Sequence, residues 1–181
     1  MPIDAANLAI VIYPEPILRA KAKPVERVTD EVRRVARRMI EMMREAEGIG
    51  LAAPQVGLSW RLFVVDVPAS EDRSPDADPP TATAGPEFYI NPKLSDPKGA
   101  PVPWEEGCLS LPDIRGDVLR PPMIMISALN LDGKPFTKTA GGLLARCWQH
   151  EMDHLDGVLI LDRMTQMSRL KNRAAVKDLE R

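Results

Sequence analysis

The stretch QHEMDH (149–154) contains both histidines of this 181-residue chain, four positions apart, with a glutamate directly after the first. It lies in LLARCWQHEMDHLD (143–156), which is predicted to form a helix that follows a Gly-Gly pair and ends at Gly157. Side chains at positions i and i+4 of a helix lie on the same face, one turn apart. The two imidazoles can therefore bind a single cation.

The glutamate of this motif adds chemistry to the cation site. Glu151 lies about 100° round the helix from His150, where it can flank a metal without binding it. From there it can take a proton from water at the metal, the role that this motif gives its glutamate. Because H-E-x-x-H also arises by chance, the alternative is two ordinary histidines on a helix with a solvent-facing glutamate.

A catalytic site of this kind needs a third protein ligand and an open position for water. No histidine follows His154, and Glu180 lies at the end of the chain, where it is a poor anchor. Cys147 lies seven residues before His154, about 10.5 Å along the helix axis, too far to share one ion with it. Cys108, in the turn-like stretch EEGCLSLP, is the remaining candidate, and the alternative for it is a buried structural thiol.

The rest of the chain predicts an α+β fold, with antiparallel β-sheets packed around the central helix that carries the HExxH motif. A first helix is capped by Thr29 or Asp30, has an apolar stripe from Val32 to Met43, and ends where Gly48 forms a left-handed C-cap. Strands are predicted at 61–67, 87–91, 123–130 and 134–140, the last two joined by a hairpin turn at Asp132-Gly133.

We expect residues 1–181 to form one catalytic domain, with a flexible insertion loop at 69–86 and a basic amphipathic helix at 164–181. The net charge of −2 gives no general attraction to DNA or to an anionic membrane. No apolar run approaches the roughly 18 residues that a membrane helix needs. Two cysteines make no disulfide framework, and no targeting signal opens the chain, so we expect a cytoplasmic protein.

A glycine-rich stretch, GIGLAAPQVG (48–57), is a third informative segment. It follows a helix, lacks the third glycine of a dinucleotide fingerprint, and has no Gly-Lys-Ser/Thr ending of a phosphate loop. Its small residues let another backbone approach closely, and Gln55 offers an amide donor there. The alternative is a helix terminator followed by a tight turn.

GIGLAAPQ, EGCLS and QHEMDH, in this order, resemble the motifs of peptide deformylases, and YPEPILRAKAKPV, INPKL and LDGKPF also look like segments of that family. The resemblance runs from about Ile10 to Arg163. It implies a metallohydrolase that removes the formyl group from nascent peptides beginning with N-formylmethionine. It also implies Cys108, His150 and His154 as ligands of ferrous iron, although such a set also accepts zinc, nickel or cobalt.

The resemblance further implies roles in catalysis and recognition. Glu151 would act as general base and then acid, while Gln55 and the backbone N–H of Leu109 polarise the formyl oxygen. Ile49, Gly50 and Cys147 are candidates to line a methionine pocket, with His150 at its edge. The peptide backbone would pair with Ile49 and Gly107 as an added strand. Arg115 and Arg120 could position the peptide or brace Glu106, although a surface arginine is the alternative.

Three alternatives stay open at this point. The basic C-terminal helix could dock on the ribosome, or it could simply cover the core. A metallopeptidase that cleaves internal peptide bonds is disfavoured because no third ligand follows the motif. A homologue that binds formyl-peptides without catalysis, or a module with a structural zinc, is the rival from another class.

Overall fold

The computed structural model describes residues 3–181. Its elements, in chain order, are α1 (Asp30–Glu45), β1 (Gly50–Ala52), β2 (Leu62–Val65), β3 (Glu87–Lys98), β4 (Val102–Cys108), β5 (Leu111–Arg120), β6 (Met123–Leu129), β7 (Pro135–Gly141), α2 (Gly142–Leu155), α3 (Ile160–Arg163) and α4 (Gln166–Leu179). Short 3-10 helices span Ala5–Asn7, Pro16–Arg19 and Ala53–Val56. The architecture is α+β, which confirms the predicted class.

Five strands form one antiparallel sheet in the order β1-β2-β3-β6-β7, and helices cover both of its faces. Strand β2 is buried along its whole length. Its side chains alternate between the two faces: Phe63 packs in the core with Leu144 and Trp148 of α2, whereas Leu62 packs with Met39 of α1. The sheet therefore holds the motif-bearing helix α2 on one side and α1 on the other.

Helix α1 matches the predicted apolar stripe but ends differently from the prediction. The Thr29 side chain caps its first turn. At the other end Glu47, not Gly48, adopts the left-handed conformation, with φ 56°. Gly48 instead donates its N–H to the Met43 carbonyl, and a Cβ there would lie 2.9 Å from Leu109 Cδ1. The glycine is thus explained by close packing against the loop after Cys108 rather than by its φ angle.

Strands β4 and β5 form a separate two-stranded sheet that the sequence did not predict. The expected turn-like stretch contains only one true turn, at Leu109–Ser110, and Cys108 ends strand β4. Strand β4 reads VPWEEGC and is mostly exposed, so it lacks apolar alternation. Strand β5 does alternate in burial, but its inward positions include Gly116 and Arg120, which hide the period of two.

The segment 69–86 reaches the beginning of α2. The Pro80 carbonyl accepts from the Gly141 N–H (2.9 Å), and the Thr81 carbonyl accepts from the Leu144 N–H (3.3 Å). Because Gly141 gives the helix no side-chain cap, these carbonyls satisfy N–H groups that would otherwise lack partners. Within residues 3–181, no helix combines the length and apolar character that crossing a bilayer requires.

Candidate metal centre

A cavity of about 590 Å³ opens between α2 and the edges of both sheets. Strand β1 is an edge of the five-stranded sheet, and β4 has one unpaired side in the two-stranded sheet. The lining comes from three segments, 46–50, 104–115 and 143–151, together with Gln55. The three motifs singled out in the sequence therefore meet around one cavity.

The thiol of Cys108 and the imidazoles of His150 and His154 converge at the inner end of this cavity, with one ligand atom from each lying within 4.8 Å of the others. His154 Nε2 lies 3.3 Å from Cys108 Sγ and 3.2 Å from His150 Nε2. Around a tetrahedral metal, two imidazole nitrogens are about 3.3 Å apart, and a nitrogen and a sulfur about 3.6 Å. The donor set therefore fits a tetrahedral metal ion.

His150 is held from behind by a carboxylate, an arrangement typical of metal-binding histidines. Its Nδ1 lies 3.0 Å from Glu106 Oε2, which leaves Nε2 directed at the other two donors. Burial opposes the charged form of Glu106, but hydrogen bonds from His150 and Arg120 outweigh it and lower the pKa of the carboxyl. Glu106 is therefore an anion that fixes the orientation of the ring.

Glu151 lies beside this cluster, buried, and its Oε2 makes no hydrogen bond to any residue in 3–181. Burial raises the pKa of this carboxyl to about 7, although the neighbouring His150 lowers it. A Cβ on Gly50 would lie 2.8 Å from both the Glu151 carboxyl carbon and Cys147 Sγ. The absence of a side chain at Gly50 thus makes room for the carboxyl that the motif assigns to proton transfer.

Gln55 and Leu109 line the cavity on the side of Cys108. Gln55 is buried, and its Oε1 accepts from the Ala52 N–H at 2.9 Å, which fixes the amide so that Nε2 is the group presented. That Nε2 lies 3.5 Å from Cys108 Sγ and 3.3 Å from Ser110 Oγ. The Gln55 amide N–H therefore lies beside the cysteine, and Leu109, the residue after the cysteine, is part of the same cavity wall.

Comparison with known proteins identifies the family. The family model described as polypeptide deformylase matches residues 7–170. The chain is also 44% identical over 176 residues to a peptide deformylase of Acinetobacter baumannii, a match that covers 97% of this chain and 93% of that one. The chain belongs to the polypeptide deformylase family.

Solved structures of deformylases agree with this assignment. The peptide deformylase of Ehrlichia chaffeensis is 35% identical, with a TM-score of 0.86, and the match covers 96% of this chain and 94% of that one. The enzyme of Synechococcus elongatus, in complex with actinonin, is 41% identical, with a TM-score of 0.81, covering 95% and 87%. The resemblance seen in the motifs is confirmed, and this deformylase is an enzyme of a family that removes formyl groups from nascent peptides.

The substrate-side predictions for this deformylase fall on the cavity wall. Ile49, Gly107 and Cys147 all line it, and the Cys147 thiol lies 3.6 Å from the Ile49 carbonyl. Burial raises the pKa of Cys147, so it is a neutral thiol. The exposed Arg115 side chain lies over Gly107, with its guanidinium carbon 3.5 Å from where a Cβ of that glycine would be.

The sequence suggested that Arg115 or Arg120 could brace Glu106, and in the structure the buried Arg120 makes that contact. Arg120, one of two arginines considered, braces Glu106 through Nε (2.6 Å) and Nη2 (3.0 Å). Its Nη1 donates to Asp153 at 2.9 Å, and Asp153 also accepts from Arg163. Asp153, Trp104 and Arg146 were not predicted from the sequence, and the last two line the cavity. Arg146 and Asp153 lie at i−4 and i+3 from His150 on α2, a spacing that could have indicated them.

Proposed function

We propose that this chain is a metal-dependent hydrolase that removes the formyl group from peptides beginning with N-formylmethionine and releases formate. One observation carries the proposal. The ligand atoms of Cys108, His150 and His154 are spaced from one another as the ligands of one metal ion are. Beside them lies the buried carboxyl of Glu151, whose Oε2 has no hydrogen-bond partner among residues 3–181. Three protein ligands leave a fourth position for reacting groups, as a catalytic site requires.

The proposed cofactor is one divalent ion held by Cys108, His150 and His154. When bound, such an ion acidifies water and polarises a carbonyl as a Lewis acid. The resemblance to the family implies Fe²⁺ as the native ion. A set of one thiolate and two imidazoles also accepts Zn²⁺, Ni²⁺ or Co²⁺, so purified protein can carry any of these.

The residues of the chain divide the catalytic work between them. Burial raises the pKa of Glu151 to about 7, so this carboxyl can both bind and release a proton near neutral pH. It accepts the proton of the attacking water and then gives it to the departing amine. Gln55 Nε2 and the Leu109 N–H donate to the formyl oxygen as negative charge develops there. Each such preorganised donor is typically worth about 2.7–4 kcal/mol in the transition state.

Recognition of the peptide uses the two sheet edges. A peptide in extended form can pair with the segment of Ile49 on one side and with Gly107 on the other, joining the two sheets. Such pairing engages the backbone and reads little sequence. The methionine side chain would lie in the cavity near Gly50 and Cys147, where its burial contributes roughly 1.5–3 kcal/mol.

Formate release from formyl-Met-Ala-Ser by protein loaded anaerobically with Fe²⁺, with Glu151→Ala as the comparison, tests the proposal. We expect turnover by the parent and near silence in the variant. Cleavage of an internal peptide bond without formate would indicate a metallopeptidase. Binding of the peptide by the loaded, folded parent without any product would indicate a non-catalytic binder, and either result refutes the proposed function.

A further inference from the structure

We propose that Arg146 is a positioning residue for metal retention: it clasps the β4–β5 hairpin, which carries Cys108, onto helix α2, which carries both histidines. This inference rests on the proposed metal centre and extends it to a residue outside the ligand set. Cys108 comes from the β4–β5 hairpin, and both histidines come from helix α2. The hairpin is a separate sheet that does not pair with the five-stranded sheet on which α2 packs. The separation of these ligands is therefore set by whatever docks the hairpin on the helix.

The contacts of Arg146 span both strands of the hairpin. Its Nη2 donates to the Val102 carbonyl in β4 at 2.6 Å, and its Nη1 donates to the Val118 carbonyl in β5 at 2.9 Å. Nη1 also donates to Glu106 Oε1 at 2.8 Å. Only 11% of the side chain is exposed. A planar guanidinium with five N–H donors can satisfy three acceptors at fixed angles, which a lysine cannot.

Arg146 also shares an acceptor with a metal ligand. It lies one helical turn before His150 on the same face of α2. The two residues bind opposite oxygens of one carboxylate, Arg146 at Glu106 Oε1 and His150 Nδ1 at Glu106 Oε2. Arg146 thus joins Arg120 in fixing the carboxylate that His150 needs, while its other bonds hold both strands of the hairpin that carries Glu106 and Cys108.

Loss of Arg146 should therefore loosen both halves of the ligand set at once. The hairpin would lose two main-chain attachments to α2, and Glu106 would lose one of the donors that fix its rotamer. Replacing an outer partner of a metal ligand typically costs about 10–100-fold in metal affinity. We expect Arg146→Leu to release metal faster by a factor in this range, and Arg146→Lys to fall between Arg146→Leu and the parent.

Arg61, which directly precedes strand β2, offers a matched control because its side chain contacts the same helix. Its side chain is 15% exposed, and it donates to the Leu155 carbonyl (3.3 Å) and to Asp156 (2.8 Å), at the opposite end of α2 from Arg146. Arg61→Leu removes the contacts of a comparably buried arginine with α2 without removing a contact to the hairpin. It should lower thermal stability while leaving metal release within about twofold of the parent.

The experiment loads each full-length protein with Co²⁺ and records the thiolate-to-cobalt charge-transfer band, the rate of cobalt transfer to a chelator, and the unfolding temperature of the metal-free form. Faster release and a weaker or shifted band in Arg146→Leu, but not in Arg61→Leu, support the inference. Unchanged release and band in Arg146→Leu overturn it, whatever happens to stability. If Arg146→Leu does not fold, Arg146→Lys decides, since parental release there also overturns the inference.

The same data separate this inference from the proposed function. A parent protein that shows no thiolate band with cobalt refutes the Cys-His-His centre and the role of Arg146 together. A parent with the band, and an Arg146→Leu variant identical to it in band and release, refutes only the role of Arg146.

Discussion

Gly50 is a position where a single added methyl group should disturb catalysis by displacing the buried carboxyl of Glu151. An alanine Cβ there would lie 2.8 Å from both Cys147 Sγ and the carboxyl carbon of Glu151, and both side chains are buried. Ordinary contact between such atoms is about 3.5–4.0 Å, so the neighbours must move by close to 1 Å. Overpacking of this size typically costs about 1–3 kcal/mol of stability.

The effect on catalysis should exceed the effect on stability. The Glu151 carboxyl is one of the two groups that the new methyl displaces, and a misplacement of about 1 Å can cost roughly 10²-fold in rate. We expect Gly50→Ala, loaded with metal, to lose about this factor in kcat for formate release. Gly85→Ala is the control, because a Cβ at Gly85 meets no atom within 4 Å.

The assay is formate release under saturating formyl-Met-Ala-Ser, together with the urea midpoint and the metal content of each protein. If Gly50→Ala keeps full metal and turns over within threefold of the parent, the position of the Glu151 carboxyl does not govern the reaction. That result would refute the assignment of this residue as the general base.

Four further predictions rest on other contacts. Gln55→Ala should lower kcat by roughly 10²–10³, and a loss below threefold would remove Gln55 from the oxyanion hole. In metal-free protein, the raised pKa of Glu151, about 7, means that the folded state binds its proton more tightly than the unfolded state. Stability should therefore fall as the pH rises from about 4.5 to 7, by roughly 3 kcal/mol at most, and Glu151→Gln should abolish this part of the dependence in chemical unfolding. Reversing the charge at Arg169 and Lys171, which are exposed on α4, separates the two readings of this helix by co-sedimentation with ribosomes: reduced pelleting supports docking, and unchanged pelleting supports a helix that only covers the core. Trp104 is 59% exposed and lies three residues before Gly107 on β4, about 10 Å along the strand. Trp104→Ala should raise KM for formylated tripeptides more than for formylmethionine itself, with kcat little changed, and equal effects on both substrates would place the indole outside the peptide path.

Local patterns in the sequence account for the features that repeat over short distances. The apolar stripe of α1, the β6–β7 hairpin and helix α2 were predicted because periods of 3.6 and 2 are visible within a few turns or strand residues. The same helical geometry places His150, His154 and Glu151 together from their spacing alone. Cys108 followed by elimination, since the chain has few other residues that can bind a soft metal.

The way in which the hairpin meets helix α2 depends on tertiary contacts. Strand β4 is exposed and polar, and the inward side of β5 includes an arginine, so neither carries a periodic signal. Helix spacing places Arg146 on the face of His150, but the burial of Arg120 and Arg146 follows only from their partners, because an isolated arginine in a sequence is usually a surface residue. Their partners lie 14 and 40 residues away along the chain. Local pattern fixes which side chains share a helix face, whereas the docking of the hairpin that completes the metal centre depends on long-range ion pairs that no local pattern encodes.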